Sequence, residues 1–399
     1  MTSSTASPLR HEHLGTAALL LMSVACGLCA GGNYFNQPLL HSIAASFQIS
    51  DATAALTVTV AQVAYACGLL LLVPLGDKLE RRSLVVFLML LTAAGQFISG
   101  FTHEIGLLFA GIVMAGLFSV AAQILVPMAA TLSDPARSGR AVGIVMSGLL
   151  IGILAARSVA GLLSGLGGWH TVYRAAGVAM LLVALLLWRV LPRSRNPVAT
   201  SYVQILLSML QLIRSLPRLR SRSLIGGLAF ASVSALFSTM ALLLSGPEYG
   251  LGDAQIGLVG LIGVAGALMA NVAGRLSDRG WDRQTSTVCA ALLLASWGAL
   301  WLGGHSLLWF LLGMLLIDLA LQGLHLCNQQ IVYRLQPEAR SRINAVYMTS
   351  YFIGAALGSA AGSLAWHVGG WSAICATGAL LAVLTGLVLW RDHRLALTA

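Results

Sequence analysis

The sequence predicts an all-α integral membrane protein whose twelve transmembrane helices form two pseudo-symmetric bundles of six helices each. Three observations predict this fold class. Only 9% of the 399 residues are charged and 58% are hydrophobic, with a mean hydropathy of +0.86. Apolar runs of about 20 residues, the length that crosses a bilayer, recur along the whole chain. Short motifs of the first half also return in the second half.

Twelve apolar runs are long enough to cross the membrane, and charged residues, glycine or proline separate them. The first run lacks a small-residue cleavage site before Asn33, which favours a retained first span over a signal peptide. Numbered from the N-terminus as spans 1 to 12, the runs cover residues 14–44, 52–75, 83–101, 105–132, 140–166, 170–190, 223–246, 254–274, 285–303, 306–333, 342–367 and 371–390.

The distribution of basic residues predicts how the spans are oriented. With both termini in the cytoplasm, all 23 Lys and Arg residues except two lie on the cytoplasmic side. The exceptions are Arg174, in a short outer loop, and Arg157, inside span 5. Cytoplasmic loops of membrane proteins carry an excess of Lys and Arg, so this orientation is strongly favoured over its reverse.

The net charge of +10 does not indicate a nucleic-acid partner, because the basic residues occur in brief clusters between apolar runs. All six cysteines fall inside apolar runs, where a thiol behaves as a small hydrophobic group. The Cys26 and Cys29 pair has no neighbouring ligands that suit zinc or redox chemistry. We therefore expect no disulfide framework, no metal site and no cofactor.

The segment from Arg189 to Arg222, which connects spans 6 and 7, contains seven arginines and no acid. Apolar residues recur there at helical spacing, which predicts an amphipathic helix in the membrane interface, attracted to anionic lipid. The chain thus divides into an N-terminal six-helix bundle (1–190), a basic cytoplasmic linker (191–222) and a C-terminal six-helix bundle (223–399). The apolar residues of the linker are Leu206, Met209, Leu210 and Ile213.

Three features of the first half recur in the second. "PARSGR" from residue 135 returns as "PEARSR" from residue 337, and "GGW" returns after 202 residues at Gly369. Asp77 has a counterpart in Asp278, 201 residues later. An internal repeat of six spans means that both halves enter the membrane in the same sense, so the repeat axis runs along the membrane normal.

The loops after spans 2 and 8 resemble the signature of the major facilitator superfamily, a glycine followed by an aspartate and several basic residues. The second copy, "GRLSDRGWDR", fits well, whereas the first, "VPLGDKLERR", has Val73 in place of the leading glycine. The resemblance implies that these residues form a cytoplasmic gate motif. They are Asp77, Lys78 and Arg81 in the first copy and Gly274, Asp278 and Arg279 in the second.

Within the superfamily, "NYFNQPLL" in span 1 and the polar pattern of span 10 resemble bacterial drug and metabolite efflux proteins of the sugar-efflux-permease-like branch. Two elements of the usual proton-antiport apparatus are absent. The arginine often found in span 4 falls near Ala110, and Ala156-Arg157 stands where span 5 usually carries Gly-Pro. The resemblance therefore supports transport more strongly than it supports proton antiport.

Span 10 carries a polar stripe inside an apolar run. On a helix that advances about 100° per residue, Asp318, Gln322, His325 and Gln329 fall within an arc of about 60°. Asp318 lies about twelve residues from the outer end of the span, near mid-membrane. A charged residue there costs at least about 2.5 kcal/mol on insertion scales, which favours a functional role over packing alone. For Gln322, Asn328 and Gln329, interhelical hydrogen bonding is as good an explanation as substrate contact.

Arg157 and Asp318 are the two charged residues that we place inside the hydrocarbon. Arg157 breaks the internal symmetry, because its equivalent is Ser359. A guanidinium cannot lose its proton in a protein, so Arg157 either pairs with Asp318 in one state of the cycle or receives an anionic substrate. In the first hypothesis Asp318 is the proton carrier, and its separation from Arg157 in each state sets its proton affinity.

Further polar side chains lie at matching depth in other spans, and the resemblance implies that spans 1, 4, 7 and 10 line a central cavity. Pro38 gives span 1 a tendency to kink beside its polar residues. The candidates for substrate contact are Asn33, Tyr34 and Gln37 in span 1, Gln123 in span 4, and Tyr347 and Tyr351 in span 11.

The sequence thus predicts a secondary transporter of the bacterial inner membrane that exports a small organic molecule, a drug or metabolite, in exchange for protons. The alternative is uptake or proton-independent exchange of an anionic metabolite with Arg157 as the anion receptor. An intramembrane enzyme is disfavoured, because no zinc motif, paired intramembrane aspartates or serine elbow occurs. We expect a monomer whose partners are the substrate, protons and membrane lipid.

Overall fold

The computed structural model describes residues 15–134, 137–195, 201–263, 280–336 and 339–395. These residues form helices and connecting turns, and ten of the helices are long and apolar enough to cross a membrane. Asp253–Ile262 begins span 8, of which residues 264–274 lie outside the described residues. The ten long helices are Thr16–Phe47, Asp51–Asp77, Arg81–Phe101, Ile105–Leu132, Gly139–Gly167, Trp169–Val190, Pro217–Ser245, Asp282–Leu302, Leu307–Leu335 and Arg342–Arg394.

The tenth long helix contains two of the predicted spans. Gly369 and Gly370 interrupt it with non-helical backbone, and Gly370 has a φ of 57°, which glycine adopts without strain. Residues before this break form span 11 and residues after it form span 12. The chain is therefore consistent with the predicted bundle of twelve membrane helices.

Spans 1, 4 and 7 are each interrupted within the membrane, which the sequence did not specify. Pro38 lies in the break of span 1, where its missing N–H disrupts the helical ladder. Broken helices at membrane depth are tolerated where the freed backbone is buried in protein or lines a cavity. The separate helices are Thr16–Gly31 and Leu40–Phe47 in span 1, Ile105–Phe118 and Ala121–Leu132 in span 4, and Pro217–Phe237 and Met240–Ser245 in span 7.

The linker contains the helix Tyr202–Ser215, which we call the linker helix. Its N-terminus is closed by a capping box, in which the Ser201 hydroxyl accepts from the Gln204 N–H and the Gln204 side chain accepts from the Ser201 N–H. It ends at Ser215, and Leu216, the residue before Pro217, has extended backbone. Span 7 begins at Pro217 rather than at residue 223, so the predicted start was wrong by six residues.

Glycines let two pairs of spans approach closely. A Cβ atom on Gly27 of span 1 would lie 2.7 Å from the carbonyl oxygen of Gly148 in span 5. In the C-terminal half, Gly358 of span 11 packs directly against the backbone of Ala231 in span 7. Small residues at such crossings allow backbone contact in membranes.

We predict that Gly358→Ala destabilises the protein by about 1–3 kcal/mol, the usual cost of overpacking, because the new methyl group collides with the Ala231 carbonyl. Thermal unfolding of purified protein measures the effect. Gly298→Ala in span 9 is the matched control, since nothing lies within 4 Å of its Cβ position. An equal or greater loss in the control would contradict the packing explanation.

Candidate functional site

Arg157 lies buried between the two halves of the protein, with 4% of its surface exposed. Its Nε donates a hydrogen bond of 2.6 Å to the side-chain oxygen of Gln37 in span 1. Its guanidinium lies 3.7 Å above the ring of Phe237 in span 7 and 5.1 Å from the ring of Tyr34 in span 1. One amide oxygen and two aromatic faces therefore stabilise this buried cation.

Asp318 of span 10 is also buried, with 7% of its surface exposed, and its Oδ2 has no hydrogen-bond partner among the described residues. A Cβ atom on Gly263 would lie 3.0 Å from Oδ2, and one on Gly260 would lie 3.1 Å from Cβ of Arg157. Both charged residues thus contact the same short stretch of span 8. They are within electrostatic range of each other.

Arg157 and Asp318 do not form an ion pair in this conformation. Ion pairs within 4.0 Å among the described residues involve other side chains. Two opposite charges therefore lie unpaired in one membrane interior, where pairing would offset part of their desolvation cost. This is the arrangement expected if the pair forms in only one state of a cycle.

The rest of the polar stripe of span 10 faces span 11. Nδ1 of His325 lies 3.0 Å from the hydroxyl of Tyr347, and its ring lies 4.6 Å from the ring of Tyr351. Gln329 contacts the sulfur of Met348, and the half-buried Gln322 makes no hydrogen bond among the described residues. The ring of Tyr351 stacks on the ring of Phe230 in span 7, with 4.1 Å between the ring centroids. His325 therefore contacts a cluster of aromatic side chains.

Asn328 lies in a different environment from the other candidates of span 10. Its side-chain oxygen accepts from Arg222 at 3.2 Å, and Arg222 forms an ion pair of 2.5 Å with Asp392 of span 12. Both charged side chains are almost wholly buried. Asn328 thus completes a buried network that joins spans 7, 10 and 12. Sequence reasoning missed this network; its signal was a lone acid in a basic C-terminal segment.

Asn33 of span 1 contacts span 4, whereas Gln123 of span 4 contacts span 2. The amide of Asn33 donates to the hydroxyl of Ser119 at 3.0 Å, and the amide of Gln123 donates to the hydroxyl of Tyr65 in span 2 at 3.4 Å. Tyr65 was not predicted as a site residue. Its ring lies 4.4 Å from Phe352 of span 11, so it also joins the two halves.

One end of the bundle, which we call the outer end, carries the loops around residues 48–50, 102–104 and 246–252. The name follows the orientation that the arginines predict, and the opposite end is the inner end. At the outer end, Oδ2 of Asp253 accepts hydrogen bonds of 2.6 Å from both Ser42 and Ser164. The hydroxyl of Ser158 also donates to the carbonyl of Gly257 at 2.8 Å. These contacts join the two halves, so the outer end is closed.

The gate motif at the inner end is described for its first copy alone, because Gly274, Asp278 and Arg279 lie outside the described residues. Asp77 lies 3.8 Å from Arg81, which is buried and donates to the carbonyl of Gly76 at 3.0 Å. Lys78 is exposed. Asp77 is also within electrostatic range of Arg342 in span 11, across the two halves.

Glu80 anchors the start of the linker beside this motif. Its carboxylate accepts hydrogen bonds from the N–H groups of Arg82, Ser83 and Ser194. Partial burial alone would raise the pKa of the Glu80 carboxyl, but the hydrogen bonds from Ser83, Ser194 and Arg82 hold that pKa below its usual range. The charged form therefore caps span 3 and fixes the linker to it.

Comparison with known proteins agrees with this architecture. The family model described as Major Facilitator Superfamily matches residues 22–334.

The "Uncharacterized transporter YgaY" of Escherichia coli O157:H7 is 49% identical over 385 residues, 96% of this chain and 98% of that protein. A "Probable sugar efflux transporter" of Helicobacter pylori (strain G27) is 25% identical over 82% of this chain and 83% of its own. A bacterial homologue of the human lysosomal transporter Spinster, solved in an inward-facing and occupied conformation, superposes with a TM-score of 0.73 at 15% identity, over 98% of both chains.

We predict that Gln37→Leu lowers the stability of the protein by about 1.5–3 kcal/mol, because it removes a hydrogen bond to a buried charged group. Thermal unfolding in detergent measures the loss. Gln96→Leu is the matched control, since Gln96 is equally buried and makes no side-chain hydrogen bond among the described residues. If both variants lose the same stability, Gln37 does not stabilise Arg157 specifically.

Proposed function

Because the chain belongs to the major facilitator superfamily and is a secondary transporter rather than an enzyme, we propose that it exports a small organic molecule in exchange for protons. In this proposal it works by alternating access as a monomer in the bacterial inner membrane, with both termini in the cytoplasm. The distribution of arginines supports this orientation.

The observation that carries the proposal is the carboxylate of Asp318, which is buried at the interface of the halves with one oxygen unpaired among the described residues. An ionised carboxylate in a water-poor interior is costly unless a cation or donors satisfy it. Binding a proton removes that cost without any movement of the backbone. Asp318 is therefore the residue we assign to carry the proton.

Because of Arg157, binding of a proton to Asp318 changes which conformation is favoured. When Asp318 is ionised, attraction between the two charges favours a state in which the halves bring them together, and when Asp318 is protonated this attraction is lost. A group that binds a proton differently in two conformations shifts their equilibrium by that difference. Gly260 packs against Arg157 and Gly263 packs against Asp318, so movement of span 8 would change the separation of the two charges.

Export of an uncharged or weakly charged organic molecule fits the surroundings of the two charges. Tyr34, Tyr351 and Phe237 offer aromatic faces, while Gln322 and His325 offer polar groups without a second charge. Such a mixture of apolar walls and few polar groups is typical of small-molecule sites. The relative named for sugar efflux supports export over uptake.

The alternative function is uptake or proton-independent exchange of an anionic metabolite. One observation favours it: among the described residues, the guanidinium of Arg157 makes a single hydrogen bond and no ion pair. Its remaining N–H donors are suited to a carboxylate or phosphate. In that case replacing Arg157 abolishes the preference for anions, and a pH gradient has no effect on the parent protein.

We predict that Asp318→Asn abolishes accumulation driven by a pH gradient in proteoliposomes but retains exchange of substrate between the two sides. The amide keeps the shape of the carboxyl group but cannot carry a proton. Substrates come from a thermal-shift screen at two pH values, begun with mono- and disaccharides and extended to a library of organic compounds. Uptake is then followed with and without an imposed pH gradient.

Asp253→Asn is the control for neutralising an acid between the halves, because Asp253 is partly buried at the outer end and its amide variant can still accept from Ser42 and Ser164. It should keep gradient-driven accumulation. If Asp318→Asn still accumulates substrate against its gradient when the pH gradient is imposed, Asp318 is not the proton carrier.

We also predict that the double variant Ser42→Ala, Ser164→Ala opens the outer end, because Asp253 loses both donors that join it to the N-terminal half. Spin labels at Glu104 and His305, both exposed at the outer end of different halves, report the opening as a longer distance by pulsed electron paramagnetic resonance. The exposed Cys67 is replaced by serine in all samples.

Thr171→Val is the control for loss of a hydroxyl at the outer end, since among the described residues the Thr171 hydroxyl donates only to the carbonyl of Gly167, four residues earlier in the same half of the protein. It should leave the label distance unchanged. An unchanged distance in the double serine variant would mean that the Asp253 contacts do not hold the outer end closed.

A further inference from the structure

A groove with a volume of about 470 Å³ lies at the inner end of the protein, beneath the linker helix. Its walls come from both halves: Leu70 and Leu71 from span 2, and Leu224 and Ile353 from spans 7 and 11. The linker helix supplies the remaining wall through residues that include Leu210. The hydroxyl of Tyr202 holds this helix to span 2 by donating to the Leu71 carbonyl at 2.7 Å.

The apolar walls of the groove are open in this structure. Leu210, Leu224 and Ile353 are each about half exposed, at 52%, 50% and 48%. The groove lies where the linker helix meets membrane spans, so the medium around it is lipid. Hydrocarbon rather than water is therefore the occupant that these walls suit.

The polar residues of the groove indicate what kind of lipid it suits. Arg220 is exposed and lines the groove, in a linker stretch that holds further arginines and no acid. Ser223 and Thr349 also line it, and each carries a buried hydroxyl oxygen without a hydrogen-bond partner among the described residues. Hydroxyl groups can donate to ester carbonyls, and a guanidinium binds phosphate.

We propose that this groove binds one anionic phospholipid of the inner leaflet. An acyl chain fills the apolar walls, the hydroxyls of Ser223 and Thr349 donate to its ester oxygens, and Arg220 binds the phosphate. Span 2 belongs to one half of the protein and spans 7 and 11 to the other. The bound lipid therefore contacts both halves and favours the arrangement in which the groove has this width.

The test is native mass spectrometry of delipidated full-length protein, titrated with dioleoyl phosphatidylglycerol or with dioleoyl phosphatidylcholine. The two lipids share acyl chains and differ in net charge. We expect one phosphatidylglycerol per chain to be retained at activation energies that remove phosphatidylcholine. Arg220→Gln should weaken this retention about fivefold, since one basic residue near an anionic surface contributes that order of binding.

Two groove-filling variants and three controls separate the groove from the general lipid surface. Leu224→Trp and Ile353→Trp fill the groove and should abolish the retained lipid. Leu20→Trp and Val24→Trp in span 1, where both side chains are more than half exposed outside the groove, should not. Arg189→Gln, at the inner end of span 6, is the matched control for loss of a cation. Thermal unfolding confirms that each variant is folded.

Three results would overturn the proposal. Equal retention of both lipids, or retention that the groove-filling variants leave unchanged, would mean ordinary boundary lipid. Competition by glycerol 3-phosphate, which has a phosphate but no acyl chain, would mean a site for a soluble anion. A dimer that disappears with Leu224→Trp would mean that a second copy of the chain covers the groove.

Discussion

The burial of Arg157 and Asp318 without an ion pair is the constraint on which the rest of the central site depends. Each charge must be stabilised by other means, and the structure supplies different means for each. Arg157 has the Gln37 oxygen and the rings of Tyr34 and Phe237, whereas one oxygen of Asp318 has no partner among the described residues. A permanent cation can be held by neutral groups. A carboxylate can also lose its charge by binding a proton. Of the two buried charges, the charge of Asp318 is therefore the one that can change with pH.

The halves are joined by polar contacts as well as by apolar packing. Gln62 of span 2 exchanges a hydrogen bond of 2.9 Å with Ser234 of span 7, and Asp253 accepts from Ser42 and Ser164. In a bilayer, apolar surfaces gain little by leaving lipid for protein, so hydrogen bonds of modest strength can decide which arrangement is populated. Breaking and remaking such hydrogen bonds costs little free energy, which suits a protein that changes between conformations.

Sequence patterns predicted the fold and part of the site, for a physical reason. Hydropathy and helical spacing can be evaluated from the sequence of one helix at a time. The spans, and the polar stripe that contains Asp318 and His325, could therefore be predicted. Contacts between helices depend on rotation and depth, which no single helix determines. Gln62 and the buried ion pair of Arg222 with Asp392 were therefore missed, since the sequence of one segment does not show which other helix its polar residues contact. The early start of span 7 was missed because Pro217, favoured in a first helical turn, was assigned to the linker.

The internal repeat shows how the site departs from symmetry. Ser359, the counterpart of Arg157, accepts a hydrogen bond of 2.9 Å from the hydroxyl of Thr59 in span 2. The counterpart of Thr59 after 201 residues is Gly260, and Gly260 is the residue that packs against the Arg157 side chain. One interface between the halves thus holds two small hydroxyls, while in the other a glycine leaves room for the aliphatic part of an arginine side chain. Any side chain at Gly260 would meet Arg157 at close contact. Both halves share the same arrangement of helices. The buried cation results from two differences between them, Arg157 in place of a serine and Gly260 in place of a threonine.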